Sequence, residues 1–372
     1  MKNKKIKITI LDFDDIKNPL LGAGQARATL EVGKRLVKMG HKVKVICSKF
    51  PGYQDRIENG IEYVHVGIGT KNIKINNALY ILLLPFYVTK IKGADIIIEC
   101  FTAPTSTLFS PLFTKIPVVA LPTSFEADRF SKLYHMPFDK VERLGLKFYK
   151  YFLPYTKSFD KKIKSVNKRA ITKIVPEGVG KEFFKIKQNT PKHILFLGRF
   201  DMNQKGIDLL LSAYEKIADK VNYSLIMAGY GSDENKIKSM VKKLGIQKKV
   251  IFVGGAFGEK KEKLLSNALY VAFPSRHEGF SLFSLEALAS GLPLIGFDIP
   301  GLSWATPNVA LKARRFDINE YSKLLVKATD NKLIYEMRKD ARIFAKKYAW
   351  DNVANEFESF FYYVLSKEGR QK

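Results

Sequence analysis

Two glutamates flank a predicted helix start, and such a stretch could hold a phosphorylated ligand. Glu278 lies in a polar loop after the apolar run Tyr270–Phe273, and Glu286 lies roughly two turns into the helix predicted from Phe280. The first turn of a helix offers N–H groups and a partial positive charge, which suit a phosphate. The carboxylates can accept hydrogen bonds from hydroxyl groups. A ligand with a diphosphate between a sugar and a ribose would suit this arrangement.

Each glutamate also has an ordinary explanation. A carboxylate before a helix complements the helix dipole, and one within a helix is commonly solvated. The pattern here favours a ligand, because Phe280, Leu282, Leu285 and Leu288 predict a helix buried between two apolar strands. A glutamate inside such a helix is seldom without a function or a partner.

A second loop supplies two cations. Arg199 ends the apolar strand that begins at His193, and Lys205 ends a polar loop before a helix predicted from Gly206 through Tyr214. A departing diphosphate gains negative charge, and fixed cations that face it lower the barrier. Such side chains make a metal unnecessary, so we expect no metal and no cofactor. A solvated loop is the alternative for the pair.

Both motifs resemble those of a known enzyme family. The segment from Glu278 to Glu286 resembles the Glu-x7-Glu signature of the retaining GT-B glycosyltransferases, specifically glycosyltransferase family 4. Arg199 and Lys205 match that family's Gly-Arg and Lys-Gly pattern. The resemblance implies that Glu278 contacts the donor sugar, Glu286 holds the ribose, and the two cations hold the diphosphate. It implies a nucleotide sugar, UDP- or GDP-linked, as the donor.

The same resemblance assigns further donor contacts. The backbone between the two glutamates would hold the diphosphate, through Phe280, Ser281, Leu282 and Phe283. The loop after the strand Val250–Val253 would touch the nucleobase, with Gly254 and Phe257 as the candidates. These roles rest on the family pattern and not on the spacing alone.

The first strand, Ile6–Phe13, leads into a glycine-containing loop with Gly22 and Gly24. The third glycine of a G-x-G-x-x-G dinucleotide motif would fall at Arg27, so we discount a dinucleotide cofactor. In the family, a glycine-rich loop here faces the donor, and Gly22 and Gly24 take that role by resemblance. The alternative is that they only turn the chain.

Asp12 and Asp14 form an Asp-x-Asp pair that serves as a metal motif in another glycosyltransferase fold. We expect no metal here, because cationic side chains take its place. The family often has a histidine on the acceptor side, and this chain has none at the matching position. The nearest polar candidates for the acceptor side, Glu99, Thr123 and Glu126, are kept as predictions.

Composition indicates an anionic partner. The chain has 63 Lys+Arg against 36 Asp+Glu, a formal net charge of +27, but no nucleic-acid-binding motif. The stretches 73–92 and 130–169 mix lysines with apolar residues, which suits a membrane interface or ordinary core packing under a lysine face. Both readings stay open, and so does a general lysine bias. Cys47 and Cys100 are expected to be buried thiols in a reducing compartment.

Length and alternating strands and helices predict two domains. The expected fold is α/β, GT-B, with two doubly wound Rossmann-like domains facing a central cleft. The predicted boundaries are 1–185 for the acceptor-side domain, 186–349 for the nucleotide-sugar domain, and 350–372 for a helix that returns to the first domain. The longest apolar run, residues 78–88, is too short to span a membrane. We expect a cytoplasmic protein, peripheral on the membrane.

The predicted activity is transfer of a sugar to an acceptor hydroxyl, on a glycan or a lipid-linked glycan, with retention at the anomeric carbon. Two alternatives remain. An epimerase of nucleotide sugars with the same fold would consume donor without acceptor. A non-catalytic membrane-associated subunit would keep only a vestigial nucleotide site.

Overall fold

The structure is a computed structural model that describes residues 5–21, 24–123 and 125–370. Contacts divide the chain into two units, the first made of Met1–Glu177 with Trp350–Lys372 and the second of Gly178–Ala349. The sequence-based boundary stood at residue 185, and the structure divides the chain after Glu177.

An eight-stranded sheet forms the centre of the first unit. The strands are β1 Lys7–Leu11, β2 Lys42–Ser48, β3 Arg56–Glu58, β4 Ile61–Val66, β5 Ile96–Cys100, β6 Val118–Leu121, β7 Tyr151–Phe152 and β8 Ile171–Thr172. Their order is β3-β4-β2-β1-β5-β6-β7-β8, parallel except where β3 pairs with β4. Strand β5 is buried along its whole length, as expected for a parallel strand covered on both faces.

Helices cover this sheet. They are α1 Gly24–Lys38, α2 Ile73–Lys90, α3 Ala127–Tyr134, α4 Phe138–Gly145 and α5 Lys157–Val166. The last helix of the chain, Trp350–Lys367, also belongs to this unit and packs on α1. Arg35 of α1 donates to Asp351 at 2.6 Å, and His41 contacts Glu358 at 2.9 Å, so polar pairs fix this packing at two points.

The stretch 130–169 contains both buried and exposed apolar side chains. It forms helices, turns and the short strand β7, and four of its aromatic side chains lie in the core: Tyr149, Tyr151, Phe152 and Tyr155. Core packing therefore accounts for these four side chains. Five other large apolar side chains of the stretch are exposed: Leu133, Tyr134, Met136, Leu144 and Phe148. Among the described residues no helix is long and apolar enough to cross a membrane.

The second unit contains six parallel strands: β9 His193–Leu197, β10 Ser224–Ala228, β11 Val250–Gly254, β12 Ala268–Phe273, β13 Leu294–Phe297 and β14 Ala310–Ala313. Their order is β11-β10-β9-β12-β13-β14. This is the doubly wound order of nucleotide-binding sheets, in which the winding direction reverses between the first and fourth strands. Here the reversal lies between β9 and β12.

Eight helices of the second unit are described: α6 Lys181–Phe184, α7 Met202–Lys205, α8 Ile207–Glu215, α9 Glu234–Lys243, α10 Gly258–Ser266, α11 Leu282–Ala289, α12 Ile318–Lys327 and α13 Asn331–Ala345. We call Trp350–Lys367 α14. Helix α11 is the one predicted from Phe280, and Leu285 and Leu288 are fully buried as expected. It begins two residues later than predicted, because Ser281 caps it and accepts from the N–H of Ser284.

Candidate active site

The cationic loop and the glutamate loop meet at one edge of the second sheet. β9 and β12 are parallel neighbours, so their carboxyl ends lie side by side. Arg199 follows β9, and the loop with Glu278 follows β12. In doubly wound sheets this point of reversal is where ligands bind. The topology thus joins two motifs that are far apart in the sequence.

Lys205 and Glu278 are in direct contact. Lys205 Nζ lies 2.5 Å from Glu278 Oε1, although 73 residues separate them in the chain. Ser275 Oγ donates to the same carboxylate oxygen at 2.8 Å. The side chains are 18% and 6% exposed, so the pair is mostly shielded from water. Bulk solvent screens the attraction within such a shielded pair only weakly.

A glycine makes this approach possible. Gly206 ends α7 directly after Lys205, with φ of 61°, in the left-handed region. A Cβ atom at this position would lie 2.1 Å from the carbonyl oxygen of Pro274. Any larger residue would push the lysine-bearing turn away from the glutamate loop.

Arg276 connects the two loops, a role that was not predicted from the sequence. Its guanidinium donates to both carboxylate oxygens of Asp208 at 2.7 and 2.6 Å, and to the carbonyl of Met202 at 2.8 Å. The hydrogen bonds to Asp208 raise the pKa of Arg276 above its ordinary value. Bidentate pairs fix orientation as well as distance. Arg276 and Asp208 lie 68 residues apart in the chain, so only the folded structure shows this contact.

The start of α11 has the form that the phosphate hypothesis requires. Ser281 is its N-cap, and Leu282 and Phe283 occupy the first turn, whose N–H groups have no partner within a helix. The ring of Phe280 stacks on Trp304 at a centroid distance of 4.8 Å. The Phe280 side chain therefore serves in packing. The donor contact predicted for the Phe280 backbone stays a prediction.

Glu286 lies on α11, where the sequence placed it, and forms an ion pair with Lys261 of α10. Lys261 was not among the predicted site residues. A lysine in a run of charged residues has no feature that marks it as a partner of Glu286, and only the packing of α10 beside α11 reveals the contact.

Arg199 and the nucleobase candidates are exposed at the same edge of the sheet. Arg199 is exposed, and its Nη2 lies 3.5 Å from Gln204 Oε1. Gly254 ends β11 with φ of 67°, and Phe257, the N-cap of α10, is 72% exposed. Tyr230 follows β10 and is 62% exposed. These side chains are accessible to a ligand that lies over the strand ends.

Comparison with known proteins agrees with this geometry. Residues 180–348 match the family model for glycosyl transferases group 1. The second unit is a glycosyl transferases group 1 domain. The family assignment made from the Glu-x7-Glu segment is confirmed at this level, and the narrower family 4 stays a prediction.

Curated relatives of this group 1 domain match over part of their length. A glycosyltransferase of Methanocaldococcus jannaschii is 30% identical over 197 residues, 49% of this chain and 48% of that protein. A D-inositol 3-phosphate glycosyltransferase of Jonesia denitrificans is 30% identical over 177 residues, 44% of this chain and 41% of that protein. The matched stretches thus span half or less of these relatives.

Solved structures match over almost the whole chain. Sucrose-phosphate synthase from Thermosynechococcus elongatus has a TM-score of 0.78 at 18% identity, covering 98% of this chain and 100% of that one. A glycosyltransferase from Rickettsia africae has a TM-score of 0.72 at 17% identity, covering 98% and 99%. The expected GT-B fold, with two doubly wound units, is confirmed.

The acceptor-side candidates of the first unit differ in access. Glu99 is fully buried, and its carboxylate accepts from the N–H groups of Leu108 and Ser110 and from the Tyr149 hydroxyl. Burial raises its pKa. The structure corrects the prediction that Glu99 contacts the acceptor. Its carboxylate is fully buried and bonded to the 101–110 loop, so it cannot reach an acceptor.

The other first-unit candidates are less constrained. Thr123 is partly exposed and donates to the carbonyl of Phe101 at 3.1 Å, and Glu126 pairs with Arg129 at 3.2 Å on the surface. Gly24 is the first residue of α1, and Gly22 lies outside the described residues. Donor and acceptor roles for these positions stay predictions.

The Asp-x-Asp pair does not have the character of a metal site. Asp12 and Asp14 are 2% and 4% exposed, and burial raises the pKa of Asp12 to about 7. The Asp12 carboxylate accepts from Thr29 Oγ1 at 2.5 Å. The Asp14 carboxylate accepts from the Asn18 side chain at 3.1 Å, so donors of the protein already engage both carboxylates.

Within the described ranges, one group of metal-ligand atoms lies within 4.8 Å of one another: Asp15, Cys47 and His65. Arg56 donates to both oxygens of Asp15 at 2.8 Å, and His65 Nε2 lies 3.0 Å from it. Although burial alone would raise it, these hydrogen bonds hold the pKa of Asp15 below its ordinary value. Cys47 is a buried free thiol, as is Cys100, and burial raises the pKa of both. Arg56 already supplies the charge that a cation would bring.

The bidentate pair of Arg276 with Asp208 predicts the effect of Arg276→Lys. This change keeps the positive charge but removes the bidentate geometry, so the glutamate loop loses its fixed distance to Lys205. We expect donor turnover to fall by about tenfold to a hundredfold, with a modest loss of thermal stability. Steady-state kinetics and thermal unfolding measure both. Arg315→Lys is the control, because Arg315 lies against the same Phe316 ring as Arg276. Equal turnover in the two variants would contradict a role of the Arg276–Asp208 pair in positioning the loop.

Proposed function

We propose that the chain is a retaining glycosyltransferase that moves a sugar from a nucleotide-sugar donor to an acceptor hydroxyl. The observation that carries this proposal is the contact between Lys205 and Glu278 at the sheet reversal, next to the start of α11. It sets a cation, a carboxylate and a helix N-terminus at one point. A diphosphate that bears a sugar needs these three elements.

Arg199, Lys205 and the first turn of α11 bind the diphosphate in this proposal. The cations provide charge, and the N–H groups from Ser281 to Phe283 provide directed hydrogen bonds. Glu278 holds Lys205 in place and accepts a hydrogen bond from a hydroxyl of the donor sugar. Glu286 accepts hydrogen bonds from the ribose hydroxyls.

The reaction exchanges one bond for another at the anomeric carbon. The bond from that carbon to the diphosphate oxygen breaks, and its electron pair stays on the diphosphate. The acceptor oxygen forms its bond on the same face, and the hydroxyl proton passes to the leaving phosphate. No enzyme nucleophile is needed, and the charge that gathers on the diphosphate is stabilised by Arg199 and Lys205.

These cations lead us to propose metal-independent transfer of hexosyl units. The donor is UDP- or GDP-linked in this proposal. A structural relative of 13% identity was determined in complex with UDP, and the same relative was determined with UDP and glucose. Uridine nucleotides are therefore the first donors to test, and guanine nucleotides follow because the family resemblance also implies GDP-linked donors.

An acceptor at a membrane is the second part of the proposal. Helix α2 exposes Leu82 (65%), Phe86 (66%) and Tyr87 (38%), and its ends carry the exposed Lys74 and Lys90. An apolar surface between lysines suits an anionic lipid surface. One structural relative, WaaG, is involved in lipopolysaccharide biosynthesis. We therefore propose a glycan or lipid-linked acceptor, reached from the membrane surface.

Replacing the cations tests the transfer step. Arg199→Ala and Lys205→Met are each expected to lower turnover by about a hundredfold or more, because the leaving diphosphate loses a fixed positive charge. Nucleotide release from a panel of UDP-, GDP- and ADP-sugars, measured with EDTA present, reports the rate. Lys220→Ala removes an exposed lysine elsewhere in the unit and is the control.

Near-normal rates in both cation variants would contradict the assignment. Donor conversion to an epimer without any acceptor would favour the epimerase alternative. Failure of every donor to bind, seen as no thermal stabilisation, would favour a non-catalytic subunit.

The α2 surface predicts a loss of membrane binding in Phe86→Ser. An exposed aromatic ring that enters the lipid interface contributes apolar burial, so its removal should weaken binding by about tenfold. Sedimentation with vesicles of phosphatidylcholine and phosphatidylglycerol measures this. Tyr335→Ser, which removes a 67% exposed ring from α13, is the control. Equal vesicle binding by the two variants would contradict a membrane role for α2.

A further inference from the structure

The ammonium group of Lys261 forms an ion pair with Glu286, the residue that we propose binds the ribose. It projects from α10 and donates to Glu286 Oε2. The side chains of the two residues are 18% and 19% exposed, so water screens this pair only partly. This contact restricts the orientation of the Glu286 carboxylate.

Two aromatic rings complete the surroundings of this ammonium. Lys261 Nζ lies 5.0 Å from the ring centroid of Phe183 on α6, and 5.8 Å from that of Phe283 in the first turn of α11. A cation near ring faces is attracted to them, and more strongly when it is partly desolvated. Contacts with two helices, α6 and α11, therefore hold the Lys261 side chain that projects from α10, and the lysine in turn restricts the carboxylate.

We propose that Lys261 is a positioning residue that sets the Glu286 carboxylate for ribose recognition, and so gives the site its preference for ribose over 2′-deoxyribose. This proposal rests on the proposed function, because it takes Glu286 as the ribose partner. A glutamate side chain has three rotatable bonds, and an unpaired one loses that freedom when it binds. Lys261 fixes them beforehand, so the binding cost falls.

Selectivity follows from hydrogen-bond satisfaction. A preorganised carboxylate accepts from the vicinal hydroxyls of a ribonucleotide, and a deoxyribonucleotide leaves one hydrogen bond unmade. A mobile carboxylate turns to solvent and loses less. Removing Lys261 should therefore weaken ribonucleotide binding, which uses both hydroxyls, more than deoxyribonucleotide binding, which uses one.

Titration of UDP, GDP and their 2′-deoxy counterparts against the full chain measures this selectivity. We expect Lys261→Met, which keeps an unbranched flexible side chain but removes the ammonium group, to lower the ribose-over-deoxyribose affinity ratio by about tenfold. With the donor sugar, KM should rise while kcat changes little. Lys261→Arg keeps the ion pair and should restore the ratio. Lys263→Met removes an exposed lysine of the same helix and should leave the ratio at its starting value.

The outcomes separate this proposal from the proposed function. An unchanged ratio in Lys261→Met, with only a lower melting temperature, would reduce Lys261 to a structural tie between α10 and α11 and overturn the inference alone. An equal loss of affinity for both kinds of nucleotide would also overturn it alone. Absence of nucleotide binding by the unaltered chain would overturn the inference together with the proposed function.

Discussion

The contact between Lys205 and Glu278 is the constraint on which the candidate site depends. It exists only because β9 and β12 are neighbours at the reversal of the second sheet, which brings the ends of two distant segments together. Gly206 allows the two backbones to approach, and Arg276 keeps them there through Asp208. A change in any of these three features would move a cation away from the carboxylate. The site is therefore a property of the sheet order and not of either motif alone.

Some residues of this site supply positive charge, and others supply directed hydrogen bonds. Lys205 and Arg199 supply positive charge, and the start of α11 supplies directed N–H groups. Glu278 and Glu286 are each paired with a lysine, Lys205 and Lys261. In both pairs the lysine balances a partly buried carboxylate, which would otherwise be costly. The two glutamates of the sequence motif thus correspond to two ion pairs in the structure.

Much of this could be predicted from local pattern. Apolar runs that end in Arg199 and before Glu278 predicted strands whose carboxyl ends carry polar groups, and both strands are present. The helix after Glu278 was also predicted, and only its first turn differs, since Ser281 caps it. These features depend on neighbours in the sequence. Residue type and spacing are enough to fix them.

The remaining features depend on contacts between distant segments. Two ion pairs join distant segments: Arg276 with Asp208, 68 residues apart, and Lys261 with Glu286, 25 residues apart. The local sequence around one residue of a pair does not predict the other residue. Glu99 shows the converse: a polar residue within an apolar strand predicted a binding group, but its carboxylate serves backbone N–H groups of the next loop. The lysine-rich stretch around Tyr149 was ambiguous for the same reason, because periodicity cannot say what covers an apolar face.

The most direct measurement is a calorimetric titration of nucleoside diphosphates and the matching nucleoside monophosphates against the unaltered chain. If Arg199, Lys205 and the start of α11 hold a diphosphate, the diphosphates should bind at least about tenfold more tightly, and this advantage should shrink as salt rises. Equal affinity for the two forms, at low and high salt alike, would contradict the claim that this edge of the sheet is a diphosphate site.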